Sequence, residues 1–88
     1  MKLIICAIYD KNSKSYQQPF VAPNKATAIR NFMQACKEEK SFLYEYPQDF
    51  RLEHVANFYV ETGAMDSVQD GRILCEAENV VVKNEQKA

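Results

Sequence analysis

A chain of 88 residues has room for one domain and one modest core, because a protein of this size buries little more than ~60% of the surface its unfolded form exposes. A hydrophobic content of 47% with five Tyr and five Phe is enough to pack that core. A net charge of −1 and a pI near 5.8 argue against a simple basic groove.

The charge is nevertheless lopsided. Residues 1–40 hold seven Lys/Arg against three acids, about +4, and residues 41–88 hold four against nine, about −5. Such asymmetry marks an anion-binding face with an acidic remainder, or else the charges interleave in space and cancel. Cys6, Cys36 and Cys75 are odd in number, lack a C-x-x-C spacing and sit in apolar contexts. Free buried thiols in a reducing compartment are expected. The apolar run of "MKLIICAIYD" is too short to span a membrane and no small-residue cleavage site follows it. An intracellular protein without a membrane segment is therefore expected.

"KLIICAIY" reads as a first strand. Leu3, Ile5, Ala7 and Tyr9 point one way and Ile4, Cys6 and Ile8 the other, so both faces call for cover. "DKNSKS" carries turn formers, and "YQQPFVA" reads as a second strand, at an edge or bulged because Pro19 cannot donate to a ladder. A hairpin of residues 2–9 and 16–22 follows. "APNKATAIRNFMQACKEEK" is the one long helix, with Asn24 as N-cap and Ala26, Ile29, Phe32, Met33 and Cys36 as its apolar stripe. Arg30, Gln34 and Lys37 share one flank.

"SFLYEYPQD" reads as a loop, where Pro47 blocks a helix. "FRLEHVANFY" alternates, with Phe50, Leu52, His54, Ala56 and Phe58 on one face. Gly63 supplies a positive φ for a hairpin turn. "DSVQDG" is a further loop, and "RILCEA" a last strand with Ile73, Cys75 and Ala77 inward. The expectation is a single α+β domain over 1–79, of order β-β-α-β-β, with a small antiparallel sheet and a helix on one face. A C-terminal tail over 80–88 opens with a short strand. With no second helix available, another copy of the chain is the natural cover for the other face, which makes a homo-oligomer, and a two-fold dimer in particular, the expected assembly.

Little in the chain points to an enzyme. His54 is the single histidine and reads as a core or boundary residue; no His/Cys/Asp cluster has metal spacing, and Gly63 and Gly71 cannot build a phosphate loop. No metal and no cofactor are expected. Nucleic-acid binding has coherent support, since it needs cations for phosphate and flat side chains for bases. Lys11, Lys14 and Tyr16 lie at the first hairpin turn, Arg30 and Lys37 on the helix flank, and Tyr44, Tyr46, Arg51 and Tyr59 could add stacking surfaces. The plainer reading is that lysines decorate turns and tyrosines half-bury at strand edges.

Several short stretches fall in a familiar order. They are Ile8-Tyr9-Asp10, Pro19-Phe20, Ala28-Ile29-Arg30 with Phe32, Pro47 with Asp49-Phe50 and Leu52, Phe58, Thr62-Gly63, and Leu74-Cys75 before Glu76-Ala77-Glu78. Over roughly residues 1–78 the chain resembles the small nonstructural protein of gokushoviruses, single-stranded-DNA phages of the Microviridae (the phage open-reading-frame-five family). The resemblance implies a non-enzymatic DNA-binding factor acting in single-stranded genome replication or in the switch to packaging. It would work in the cytoplasm of the bacterial host and be absent from the virion. Lys11, Lys14, Tyr16, Arg30 and Lys37 are the expected contacts with single-stranded DNA. The alternative is a protein-interaction module that regulates the phage replication initiator or a host replication protein without touching DNA.

Overall fold

The computed structural model describes residues 1–81. Its centre is one long antiparallel pair, β1 (Lys2–Asp10) and β4 (Phe50–Tyr59), in register from Lys2 opposite Tyr59 to Asp10 opposite Phe50. The outer edge of β1 carries two short strands, β2 (Ser15–Tyr16) and β3 (Phe20–Ala22). The outer edge of β4 carries β5 (Met65–Ser67) and β6 (Ile73–Glu76). Six strands thus fill four positions of one antiparallel sheet. The single second strand expected over 16–22 is split at residues 17–19, where Pro19 has no N–H to continue the ladder.

Helix α1 (Lys25–Cys36) covers one face. The Asn24 side chain accepts a hydrogen bond from the Thr27 N–H at 2.8 Å, satisfying one of the orphan donors of the first turn. The buried stripe is Ala28, Phe32 and Cys36, spaced i, i+4, i+8, with Ile29 and Ala35 beside it. The expected stripe was centred elsewhere: Ala26 and Met33 are exposed, because small Ala28 is the residue that lets the helix approach the sheet. Two single helical turns follow, α2 (Phe42–Glu45) before the 3₁₀ turn Pro47–Asp49, and α3 (Ala77–Val80) after β6. The stretch expected as a bare loop thus contains α2, capped by Ser41, whose side chain accepts from the Tyr44 N–H. Ile4, Cys6, Ala22, Ala28, Phe32, Cys36, Leu43, Phe50, Leu52 and Ala77 make one core between α1 and the sheet.

Two bulges rearrange the faces. Ile5 pairs with Ala56 but Cys6 with His54, so Val55 is an extra residue in β4. Phe50, Leu52 and His54 therefore face the helix, as the alternation suggests, while Ala56 and Phe58 turn to the open face, opposite Ile5 and Leu3. The pattern of apolar residues carries no mark of the inserted residue. In β6 the pairing steps from Leu52–Cys75 to Glu53–Ile73 and leaves Leu74 extra. Ile73, expected inward, consequently lies on the open face, 50% exposed.

The β4–β5 turn closes at Gly63, whose N–H donates to the Tyr59 carbonyl at 2.7 Å and whose φ is +76°. A Cβ there would meet nothing within 4 Å, so the objection to a side chain is purely conformational. Gly63→Ala is expected to lower stability by about 1 kcal/mol in chemical denaturation, without changing the fold.

Burial raises the thiols of Cys6 and Cys36 to about 11 from an ordinary 9.0. These groups keep their protons in the native state when the unfolded chain has lost them. Stability is therefore undiminished below about pH 9 and falls as pH climbs toward 11. A thiol reagent at pH 8 is expected to modify half-buried Cys75 first and to reach Cys6 and Cys36 only on unfolding.

Val80, where the tail was expected to open as a strand, instead ends α3; Val81 packs against the core, and the rest of the tail lies outside the described residues. Among the described residues no helix is long and apolar enough to cross a membrane.

Candidate nucleic-acid interface

The stretch from Lys11 to Ser15 is a turn with its own internal bonds. Asp10 Oδ1 accepts from the N–H groups of Asn12 at 2.9 Å and Ser13 at 3.3 Å, and the Lys14 N–H donates to the Asp10 carbonyl at 2.8 Å. Lys11 is tied back: its N–H reaches the Asp49 carbonyl and its Nζ pairs with Glu76 Oε1 at 2.8 Å. Lys14 is exposed and sits at φ +59°, the left-handed region that disfavours a β-carbon. Lys14→Gly is expected to stabilise the fold by up to about 1 kcal/mol, read as a higher denaturation midpoint.

Tyr16 lies on the open face beside Tyr9, with ring centroids 4.7 Å apart. Its hydroxyl donates to Glu53 Oε1 at 2.8 Å. That bond, reinforced by burial and by the charge of Glu53, holds the Tyr16 phenol above its usual range. Glu53 is only 3% exposed, although it stands on a face that no helix covers. Arg51 Nε reaches Glu53 Oε2 at 2.7 Å, and Arg72 Nε lies 3.4 Å from Oε1. The Arg51 guanidinium sits 4.8 Å over the Tyr9 ring, and that of Arg72 5.8 Å from the Tyr16 ring. Strand pairing explains the convergence: Tyr9 is opposite Arg51 and Tyr16, Ala7 is opposite Glu53, and small Ala7 leaves room for the carboxylate.

Arg30 and Lys37 come together elsewhere. With Met33 and Gln34, at i, i+3, i+4 and i+7, they line a shallow hollow on the outward side of α1, across the sheet from Tyr16. Neither makes an ion pair among the described residues. The five expected contacts are thus split between the hairpin turn, the open face and the helix. Arg72 and Glu53 were not expected as site residues. The i, i+2 placement of Arg51 and Glu53 on one strand is a signal for their pairing, whereas nothing local in the sequence brings Arg72 to them.

The open face has two halves. Around Leu3, Ile5, Val21, Ala56, Phe58 and Met65 it is apolar, with Val21 58% and Met65 64% exposed. Six residues further along β1, about 20 Å away, lies the tyrosine–arginine cluster. On the other face His54, 5% exposed, bonds Asn57 Oδ1 through Nε2 at 2.8 Å, and Asn57 and Tyr59 both donate to Asp66. That network reads as structural, matching the expectation for His54.

A family model described as "Phage ORF5 protein" matches residues 3–80, nearly the whole chain. The chain belongs to this phage family. Comparison with curated proteins and with solved structures yields no match. For this phage protein the family match covers every described strand and all three helices apart from the first residue of β1, so the residues of both cation clusters fall inside it.

Proposed function

We propose that this phage protein is a non-enzymatic factor that binds single-stranded DNA, in replication of the phage genome or in the switch to packaging. It would act in the cytoplasm of the bacterial host and outside the virion, as the likeness to gokushovirus nonstructural proteins implies. The observation that carries the reading is where unneutralised charge lies. Six described cations, Lys2, Lys14, Lys25, Arg30, Lys37 and Lys40, make no ion pair among the described residues. Three of them, Lys25, Arg30 and Lys37, lie along α1 and its C-cap with no acid between them, and Glu38 and Glu39 separate Lys37 from Lys40. A helix surface of that kind meets a phosphate backbone.

Fluorescence anisotropy of a labelled single strand of roughly 30 nucleotides tests this directly. If about four phosphates are contacted, affinity is expected to fall about 50-fold between 50 and 200 mM salt. Absence of binding at 50 mM salt and tens of micromolar protein would sink the reading. Arg30→Glu with Lys37→Glu is expected to weaken binding at least tenfold.

The same proposal includes a homodimer. The apolar half of the open face fits a second copy of itself, and two protomers double the number of cations on one strand. Sedimentation equilibrium checks this, and a monomer at high micromolar concentration is the contrary result. The exposed apolar half also favours a second reading, a replication-protein partner in place of DNA. Charge reversal on α1 would leave that partner's binding unchanged.

A further inference from the structure

We infer that the tyrosine–arginine end of the open sheet face is a contact site for a nucleic-acid single strand, where Arg51 and Arg72 hold a phosphate and Tyr16 stacks on a base. The inference rests on the DNA-binding reading above and assigns it a site on the face opposite α1. Buried Glu53 is the organising group. It hydrogen-bonds Arg51 Nε at 2.7 Å and lies at ion-pair distance, 3.4 Å, from Arg72 Nε, so Arg51 is fixed and Arg72 is drawn to the same carboxylate before any ligand arrives. No Nη group of either arginine makes a hydrogen bond among the described residues, and those are the atoms with which arginine forks onto a phosphate. Arg72 Nε is itself buried without a hydrogen-bond partner, so the protein does not saturate this guanidinium.

The two arginines are the more exposed charges of the cluster, and Glu76, opposite Arg51, is paired with Lys11 Nζ at 2.8 Å. The arginines are 26% and 33% exposed in their side chains, whereas the carboxylate between them is 3% exposed. Tyr16 is 48% exposed, yet its hydroxyl is fixed on Glu53 and its ring is held against Tyr9. A ring ordered in advance loses little entropy when a base stacks on it. An uncovered antiparallel sheet with an exposed aromatic ring beside oriented cations suits an unpaired strand better than a duplex, whose bases are already stacked. A second copy of the chain is a poor occupant for this end, because a two-fold axis there would set Arg51 and Arg72 against their own counterparts. Lys14, next in sequence to the β2 strand and free of ion pairs among the described residues, extends the positive edge.

The test uses the full chain and a thymidine oligonucleotide of about 30 residues carrying 5-iodouracil. Irradiation of the complex, followed by peptide mass spectrometry, is expected to place a crosslink on Tyr16 or Tyr9. Tyr16→Ala is expected to weaken binding about 5- to 100-fold, and Arg72→Gln about tenfold with a shallower dependence on salt. Tyr16→Phe retains the ring and is expected to stay within about threefold of the parent, which separates stacking from a damaged fold. Crosslinks confined to α1, with Arg72→Gln and Tyr16→Ala both binding as the parent does, overturn this site and leave the DNA-binding reading standing. Failure of the parent chain to bind the oligonucleotide overturns both.

Discussion

Phe32→Ala is expected to remove about 3–5 kcal/mol of stability, the largest effect of any single truncation in α1. The side chain is 2% exposed and is the main apolar contact by which the helix holds the sheet. It already borders an apolar hollow of about 180 Å³ with Ile8, Phe20, Asn31 and Ala35. Truncation would widen that hollow, and α1 cannot close it, because Ala28 and Cys36 on either side already set how near it sits. A chain of this length has a total stability of only about 4–13 kcal/mol. The melting temperature should therefore drop by roughly 15–30 °C, measured by circular dichroism. Phe32→Leu, which retains most of the volume, should lose less than half as much. Equal losses for both variants would mean that ring shape rather than buried volume holds α1 in place.

Glu53→Ala is the second large effect, expected at about 2–4 kcal/mol. Its 3% exposure puts it among the most buried side chains, and it accepts from the Tyr16 hydroxyl while paired with both Arg51 and Arg72. Removing the carboxylate leaves two partly buried guanidiniums facing each other with no counter-charge. Their partial exposure to water keeps the cost below that of a fully buried pair. The decisive comparison is with Glu53→Met combined with Arg51→Met and Arg72→Met. If the penalty arises from stranded charge, the triple variant recovers most of the loss despite lacking all three charged groups. If it melts as low as Glu53→Ala, the network itself holds β2 and β6 to the central strands. In either case Glu53→Ala frees the Tyr16 hydroxyl, whose phenol should then titrate closer to its usual value, a shift visible in ultraviolet absorbance.

The two results bear on the DNA-binding proposal in different ways. Phe32 lies under α1 and supports the Arg30–Lys37 stripe, so its loss would weaken a phosphate contact only by loosening the helix. Glu53 orients Arg51 and Arg72 directly, so its loss would disturb the open face while α1 remains in place. Oligonucleotide affinities of the two variants, measured below their melting points, separate the two surfaces.

Much of the architecture was legible from residue order. β1 is written in the apolar run from Leu3 to Tyr9, α1 in the Asn24 cap and a 3.6-residue apolar period, and the β4–β5 hairpin in Thr62-Gly63, because each depends on interactions within one or two turns of chain. The doubly apolar character of β1 likewise announced a second apolar face, which carries exposed Val21 and Met65. Membership of the phage family was legible too, since it resides in the order of short motifs along the chain. What tertiary structure alone decided is which residues share a face. One inserted residue at Val55 moves Ala56 and Phe58 across the sheet, and one at Leu74 brings out Ile73. Strand periodicity has a period of two, so a single bulge inverts everything beyond it and leaves composition unchanged. For the same reason the meeting of Tyr16, Glu53 and Arg72 was beyond local reading: they come from three strands or their borders, separated by up to 56 positions, and only the register of β1 against β4 and of β4 against β6 brings them together.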